Sequence, residues 1–201
     1  MDSLSKLFDG INRVKIMRLF LFNPSDSYDK KDVVKKSKVS MSTANSIMRQ
    51  IEEAGMIKRK IFFKAGKKKN KKIKTNGWIL DPNFPHLISL QNLLLNKELL
   101  TDNQIIKKIQ KTGKIKLIVL SGVFVNRMED SRVDILIVGD KINKNSLERA
   151  VQDMESQIGK ELSYAVFDSN EFCYRLDICD KLVRDILDYP HKKILKKTDL
   201  V

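Results

Sequence analysis

Two apolar runs in the second half of the chain, "KIKLIVLSGVF" (114–124) and "SRVDILIVGD" (131–140), constrain the fold more than any other feature. Each is rich in Ile, Val and Leu and lacks the polar alternation of a strand with one face in water, so both read as strands buried on two faces. Such strands need helices to cover them, and the flanking sequence supplies these. "TDNQIIKKIQKTG" reads as an amphipathic helix with a capping Thr or Asp and a closing Gly113. "NKNSLERAVQDMESQIGKE" reads as a second helix, "LSYAVFD" as a third strand, and "SNEFCYRLDICDKLVRDILDY" as one or two helices before "PHKKIL". Strands alternating with helices, together with a strand pair on a short loop, predict an α/β domain with a mixed sheet.

At 201 residues the chain suits one large domain or two small ones, and 42% apolar residues suffice for real cores. No run of about 18 apolar residues is present, and "MDSLSKLFDG" lacks the basic start and apolar stretch of a secretory signal. The expectation is a cytoplasmic, soluble protein with no membrane partner. Cys173 and Cys179 have neither zinc-ligand spacing nor the pattern of a disulfide framework, and read as reduced thiols, at least one of them buried. No cofactor and no metal are called for.

The net charge of +14 is unevenly spread. Residues 1–96 hold 20 Lys and Arg against 8 Asp and Glu, whereas the remainder holds 19 against 17. A basic half beside a nearly neutral one points to a polyanionic partner and locates its contact surface in the first half.

In that half, "INRVKIMRLFLFNP" reads as a first buried helix, "KKDVVKKSKVS" as a short second one, and "SMSTANSIMRQIEEAGMI" as a third running from a Ser40 cap to Gly55. On the third, Ala44, Met48 and Ile51 share an inward face, leaving Ser42, Thr43, Asn45, Ser46 and Arg49 pointing elsewhere. Two strands follow, near 57–64 and 73–80, around a turn; ten of the seventeen residues from Lys58 to Lys74 are Lys or Arg. Trp78, Phe62 and Phe63 read as core residues, so the half lacks the paired exposed aromatics that RNA binding by base stacking needs. "DPNFPHLISLQNLLLNKELL" then forms a helix too apolar to stand in water, either bridging two domains or contributing to a homodimer.

The order helix, helix, short turn, helix and basic hairpin, with "STANSIMRQIEEAGMIKRK" at its centre, resembles the winged helix-turn-helix of bacterial regulators of the ArsR or MarR kind. The resemblance implies double-stranded DNA as partner, with Ser42, Thr43, Asn45, Ser46 and Arg49 at or near base edges in the major groove. Lys67, Lys68, Lys69, Lys71 and Lys72 would meet phosphates. The expected organisation is a winged helix-turn-helix over 1–82, a bridging or dimerisation helix over 83–100, and the mixed-sheet domain over 101–201.

That last domain resembles the minimal nucleotidyltransferase fold of the DNA polymerase β superfamily. There the first strand ends in Gly-Ser, the second carries Asp-x-Asp, and a third acid follows, so that two metal ions can be held by carboxylates. Here Gly122 keeps the glycine, Val123 stands for the serine, Arg132 for the first acid, Asp134 for the second and Ser163 for the third. A guanidinium cannot shed its charge and repels a divalent ion. Arg132 is expected to pair with Asp134, or with Glu129 or Asp130, and the domain to be a pseudoenzyme.

Together these features describe a DNA-binding transcription regulator whose nucleotidyltransferase-like domain serves dimerisation, an effector or a protein partner. The alternatives are an active magnesium-dependent nucleotidyltransferase, or the antitoxin-like member of a toxin–antitoxin pair.

Overall fold

A computed structural model of the chain describes residues 3–65, 72–95, 99–125 and 133–197. It is a mixed α/β protein with a two-stranded antiparallel sheet and a four-stranded mixed sheet. Two compact units divide the chain: one comprises Met1–Lys97 with Glu155–Lys160, the other Glu98–Met154 with Glu161–Val201. Among the described residues no helix is long and apolar enough to cross a membrane.

The first unit contains α1 (Ser3–Leu7), α2 (Ile11–Phe22), α3 (Lys30–Ser37), α4 (Met41–Glu53), β1 (Ile57–Ala65), β2 (Lys72–Leu80) and α5 (Leu87–Leu95). Its central element is α2, which is buried without a break from Ile16 to Leu21. Val14, Ile16 and Phe20 of α2 join Val33 of α3, Ala44, Ile47, Met48 and Ile51 of α4, Trp78 and Leu80 of β2, and Leu94 of α5 in one core.

A charge lies inside this apolar helix: Arg18 is 1% exposed. Its Nε donates to the Leu94 carbonyl (3.0 Å) and its Nη1 to the Gln157 carbonyl (3.2 Å). Both carbonyls belong to last helical turns, where main-chain oxygens lack an intrahelical partner and the helix dipole favours a cation. The apolar α5 docks in the same core through Leu94, with Leu87, Leu90, Leu93 and Leu95 partly buried against it. Among the apolar residues of α5, only Ile88 is strongly exposed, at 73%.

The hairpin β1–β2 pairs Ile57 with Leu80 at its base and Ala65 with Lys72 at its outer end. Tyr28 adds a single antiparallel bridge to β2, exchanging two main-chain hydrogen bonds of 2.9 Å with Trp78. Gly77 makes this possible, because a Cβ there would lie 2.3 Å from the Tyr28 carbonyl oxygen and 2.6 Å from the Phe62 ring.

The second unit contains α6 (Asp102–Gln110), β3 (Lys114–Leu120), a short 3-10 turn (Gly122–Val125), β4 (Ile135–Asp140), α7 (Lys144–Ile158, its last turn counted with the first unit), β5 (Tyr164–Phe167), α8 (Ser169–Asp177), α9 (Lys181–Leu187) and β6 (Lys192–Lys196). Strand order is β5-β4-β3-β6, with β4 parallel to β5 and the other neighbours antiparallel. Strands β3 and β4 are covered on both faces. Leu117, Val119, Leu136 and Val138 pack with Phe172 of α8 and with Val183 and Ile186 of α9, while the alternate residues Ile118, Ile135 and Ile137 are also fully buried.

Two readings of the sequence are corrected and one strand is added. The apolar pattern places the second strand over 131–140, but the strand starts at Ile135, so Asp134 precedes it. "KKILK" forms the edge strand β6, which its lysines conceal; charges of this kind discourage pairing with another chain at a sheet edge. Both cysteines are exposed, against the expectation that at least one is buried, because α8 and α9 bury Phe172, Val183 and Ile186 instead.

Asp140, closing β4, accepts from Lys116 Nζ (2.9 Å) and from the Ser169 hydroxyl and N–H (2.8 and 3.2 Å). These bonds, that of Lys116 foremost, lower its pKa from 3.8 to about 2. A depressed carboxylate stabilises the fold above its ordinary pKa, and that contribution is lost as pH falls from about 4 towards 2. Asp140→Asn is therefore expected to flatten this limb of the stability curve in urea titrations and to change little in its shape above pH 5. Gly77→Ala, which drives a methyl group into the Tyr28 backbone, is expected to lower unfolding free energy by about 1–3 kcal/mol in the same assay.

Candidate nucleic-acid interface and strand-end cluster

Short polar signals set out the helix pair α3–α4. Asp29 caps α3 in a reciprocal box with Asp32, and Lys38, in the left-handed region at φ 52°, ends it without a glycine. Ser40 then caps α4, its Oγ accepting the Thr43 N–H, so the turn occupies only residues 38–40. With Ala44, Ile47, Met48 and Ile51 in the core, Ser42, Asn45, Ser46 and Arg49 are brought together on one exposed face. Thr43 is partly turned aside, its hydroxyl 2.8 Å from that of Ser40. Arg49 is held by Glu53 at 2.8 Å with its side chain 82% exposed, an arrangement that solvent screening makes weak.

The hairpin is fastened to this pair by ions. Glu52, in the last turn of α4, takes Arg59 Nε at 2.7 Å on one oxygen and Trp78 Nε1 at 2.9 Å on the other. The Arg59 bond chiefly, against burial and with help from Trp78, lowers the Glu52 pKa below its ordinary value. Lys64 reaches the α3 cap, meeting Asp29 at 2.8 Å and also Asp32. Burial opposes the Asp29 charge, but Lys64 and the main-chain N–H groups of Asp32 and Lys31 outweigh it, and its pKa is lowered.

Between 57 and 65 and between 72 and 80 the hairpin has no acid. Lys58, Arg59 and Lys64 meet acids elsewhere in the unit, whereas Lys60, Lys72 and Lys74 form no ion pair among the described residues. Lys72 is exposed at the start of β2. Lys67, Lys68, Lys69 and Lys71 lie outside the described residues, as do Glu129, Asp130 and Arg132.

Of the three aromatics expected in the core, Trp78 is there, Phe62 is half-buried under Gly77, and Phe63 is 65% exposed. After Ile57, β1 has no fully buried residue, so Phe63 joins no core. The ground for excluding base stacking in this half is thereby removed.

In the second unit Gly122, Val123, Asp134 and Ser163 converge at one end of the sheet. Asp134 is 9% exposed; its Oδ1 accepts the Val123 N–H and its Oδ2 the Ser163 N–H, both at 2.9 Å. Its own N–H donates to the Ser163 carbonyl at 2.7 Å and its carbonyl accepts from Ser121 at 2.9 Å. Gly122, at φ 53°, passes so close that a Cβ would lie 2.3 Å from Oδ1. The carboxylate thus stitches the turn after β3 to the starts of β4 and β5. Along β5, towards the other end of these strands, is a cavity of about 790 Å³ bordered by Lys141, Lys144, Leu147, Tyr164 and Phe167.

No protein-family model matches the chain, and no match is found among curated proteins.

The residues that reasoning from sequence missed are the fasteners Glu52, Arg59 and Gly77. The available signal was an acid in the last turn of α4, where it opposes the helix dipole and so calls for a cation. For Asp134, replacement by Ala leaves the buried Val123 N–H and the part-buried Ser163 N–H without that acceptor. Unfolding free energy is expected to fall by about 2–4 kcal/mol, read by urea denaturation with circular dichroism. A variant as stable as the parent would show the carboxylate to be dispensable for folding.

Proposed function

We propose that the protein is a DNA-binding transcription regulator whose α4 and β1–β2 hairpin bind duplex DNA as a winged helix-turn-helix, while the second unit is a non-catalytic nucleotidyltransferase-like domain. The observation that carries this reading is the pairing of two unlike surfaces. An exposed face of α4 made of Ser42, Asn45, Ser46 and Arg49 adjoins a hairpin without acids whose Lys60, Lys72 and Lys74 carry no ion pair among the described residues. Small hydrogen-bonding side chains suit base edges in the major groove, and spare ammonium groups suit phosphates.

Absence of catalysis is supported by the engagement of Asp134. Each oxygen of the one acid retained from the family pattern already accepts a main-chain N–H, and Val123 and Ser163 bring no further carboxylate. The charge serves the fold. The cavity along β5 is the site for a small effector in this reading, and a homodimer the natural partner of a two-fold operator.

Electrophoretic mobility shifts on fragmented genomic DNA are expected to give a salt-sensitive complex. Lys72→Gln and Lys74→Gln should each weaken it similarly on all sequences and lower the slope of log affinity against log salt by about one. Asn45→Ala should instead reduce discrimination between fragments by roughly 1–3 kcal/mol for each base edge it no longer reads. No shift with the full chain overturns the reading. Magnesium-dependent nucleotide transfer that disappears in Asp134→Ala overturns the non-catalytic assignment.

A further inference from the structure

Phe63 is 65% exposed, directly opposite Lys74, and Ile61, 57% exposed, lies two residues nearer the base of the hairpin. Holding such side chains in water opposes the hydrophobic effect, and no core residue depends on them. Their surroundings narrow the occupant. Residues paired across the hairpin share a face, so Arg59, Ile61 and Phe63 lie with Trp78, Asn76 and Lys74, and Lys72 follows at the outer end. This face carries an aromatic ring, a side-chain amide and the ammonium groups of Lys72 and Lys74, which form no ion pair among the described residues, and it has no acid. Flat π surfaces strung on a polyanion match that combination, and nucleic acid is such a polymer.

Its direction narrows the binding mode further. Arg59 and Trp78 on this face both bond Glu52 of α4, so the face bearing Phe63 is the one turned towards α4. Asn45, Arg49 and Glu52 succeed one another at helical spacings of four and three, which leads the exposed stripe of α4 up to this face. A duplex lying along α4 therefore meets the Phe63 side of the hairpin.

Resting on the DNA-binding reading above, we infer that Phe63, backed by Ile61, enters the minor groove of the bound duplex as an apolar wedge between two base pairs. The wedge bends the DNA, and Lys72 and Lys74 hold the flanking phosphates. Partial unstacking is offset by the apolar surface that leaves water and by closer approach of phosphates to the lysines. Steps that unstack easily, TA and CA, are the favoured points of insertion.

The test uses the full chain and duplexes enriched by it from a random-sequence pool. Affinity is followed against salt, bending by circular permutation, and local unstacking by 2-aminopurine fluorescence. Phe63→Ala is expected to bind roughly 10- to 100-fold more weakly at every salt concentration, with the salt slope unchanged, the bend removed and the fluorescence rise abolished. Phe63→Leu should keep most of the bend. Because the ring is exposed, neither change should alter the melting temperature. An enriched duplex bound and bent equally by wild type and Phe63→Ala overturns the wedge and leaves DNA binding standing. Phe63→Ala that dissociates a dimer without touching DNA affinity overturns it in favour of a second copy of the chain. A pool from which nothing is enriched overturns the DNA reading itself, and this inference with it.

Discussion

The candidate interface depends on the carboxylate of Glu52. It stands in the last turn of α4, where exposed carbonyls make an acid unwelcome, and it is retained because Arg59 and the Trp78 indole each take one of its oxygens. Those two residues are cross-strand partners, so a single side chain orients both strands of the hairpin against the helix. On the other side, Lys64 does the same with the α3 cap through Asp29 and Asp32. The basic hairpin is thus anchored by its inner cations, and Lys60, Lys72 and Lys74 are left facing outward. Division of labour among like charges, some structural and some spare, gives the surface its sign.

The second unit uses an acid in the same manner. Asp134 bridges the N–H groups of Val123 and Ser163, and Gly122 is present because nothing larger fits beside its oxygen. A buried carboxylate whose oxygens accept main-chain bonds is stabilised in place without a metal. That is reason enough for an acid to stand at this end of the sheet. The strand ends depend on Asp134 whether or not any ligand binds there.

Much of the layout is legible in the sequence. Ile, Val and Leu runs with no polar alternation mark β3 and β4, and the caps Ser40 and Thr101 mark α4 and α6, because these signals act within one turn or one strand. The inward set of α4 follows from its period, with Ile47 added by the structure. No local signal brings Gly122, Val123, Asp134 and Ser163 together, because they lie on three separate segments. Phe63 escapes such reasoning because an aromatic in a strand usually lies inside, and nothing in its neighbours records that β1 has no fully buried residue after Ile57. β6 is hidden since a short edge strand flanked by lysines has hardly any apolar signal.

By itself, the sequence determined the order and type of the main elements and the concentration of positive charge in the first half. These are properties of short windows and of counts, which survive without knowledge of what packs on what. Only the tertiary structure decided where Arg18, Glu52, Asp134 and Phe63 stand: two carbonyls around a buried guanidinium, a helix acid shared by an arginine and an indole, a carboxylate spanning three segments, and a ring left in water. Each of these positions depends on partners or boundaries far away along the chain, and a polar or aromatic side chain takes its role from whatever the fold brings within hydrogen-bonding reach of it.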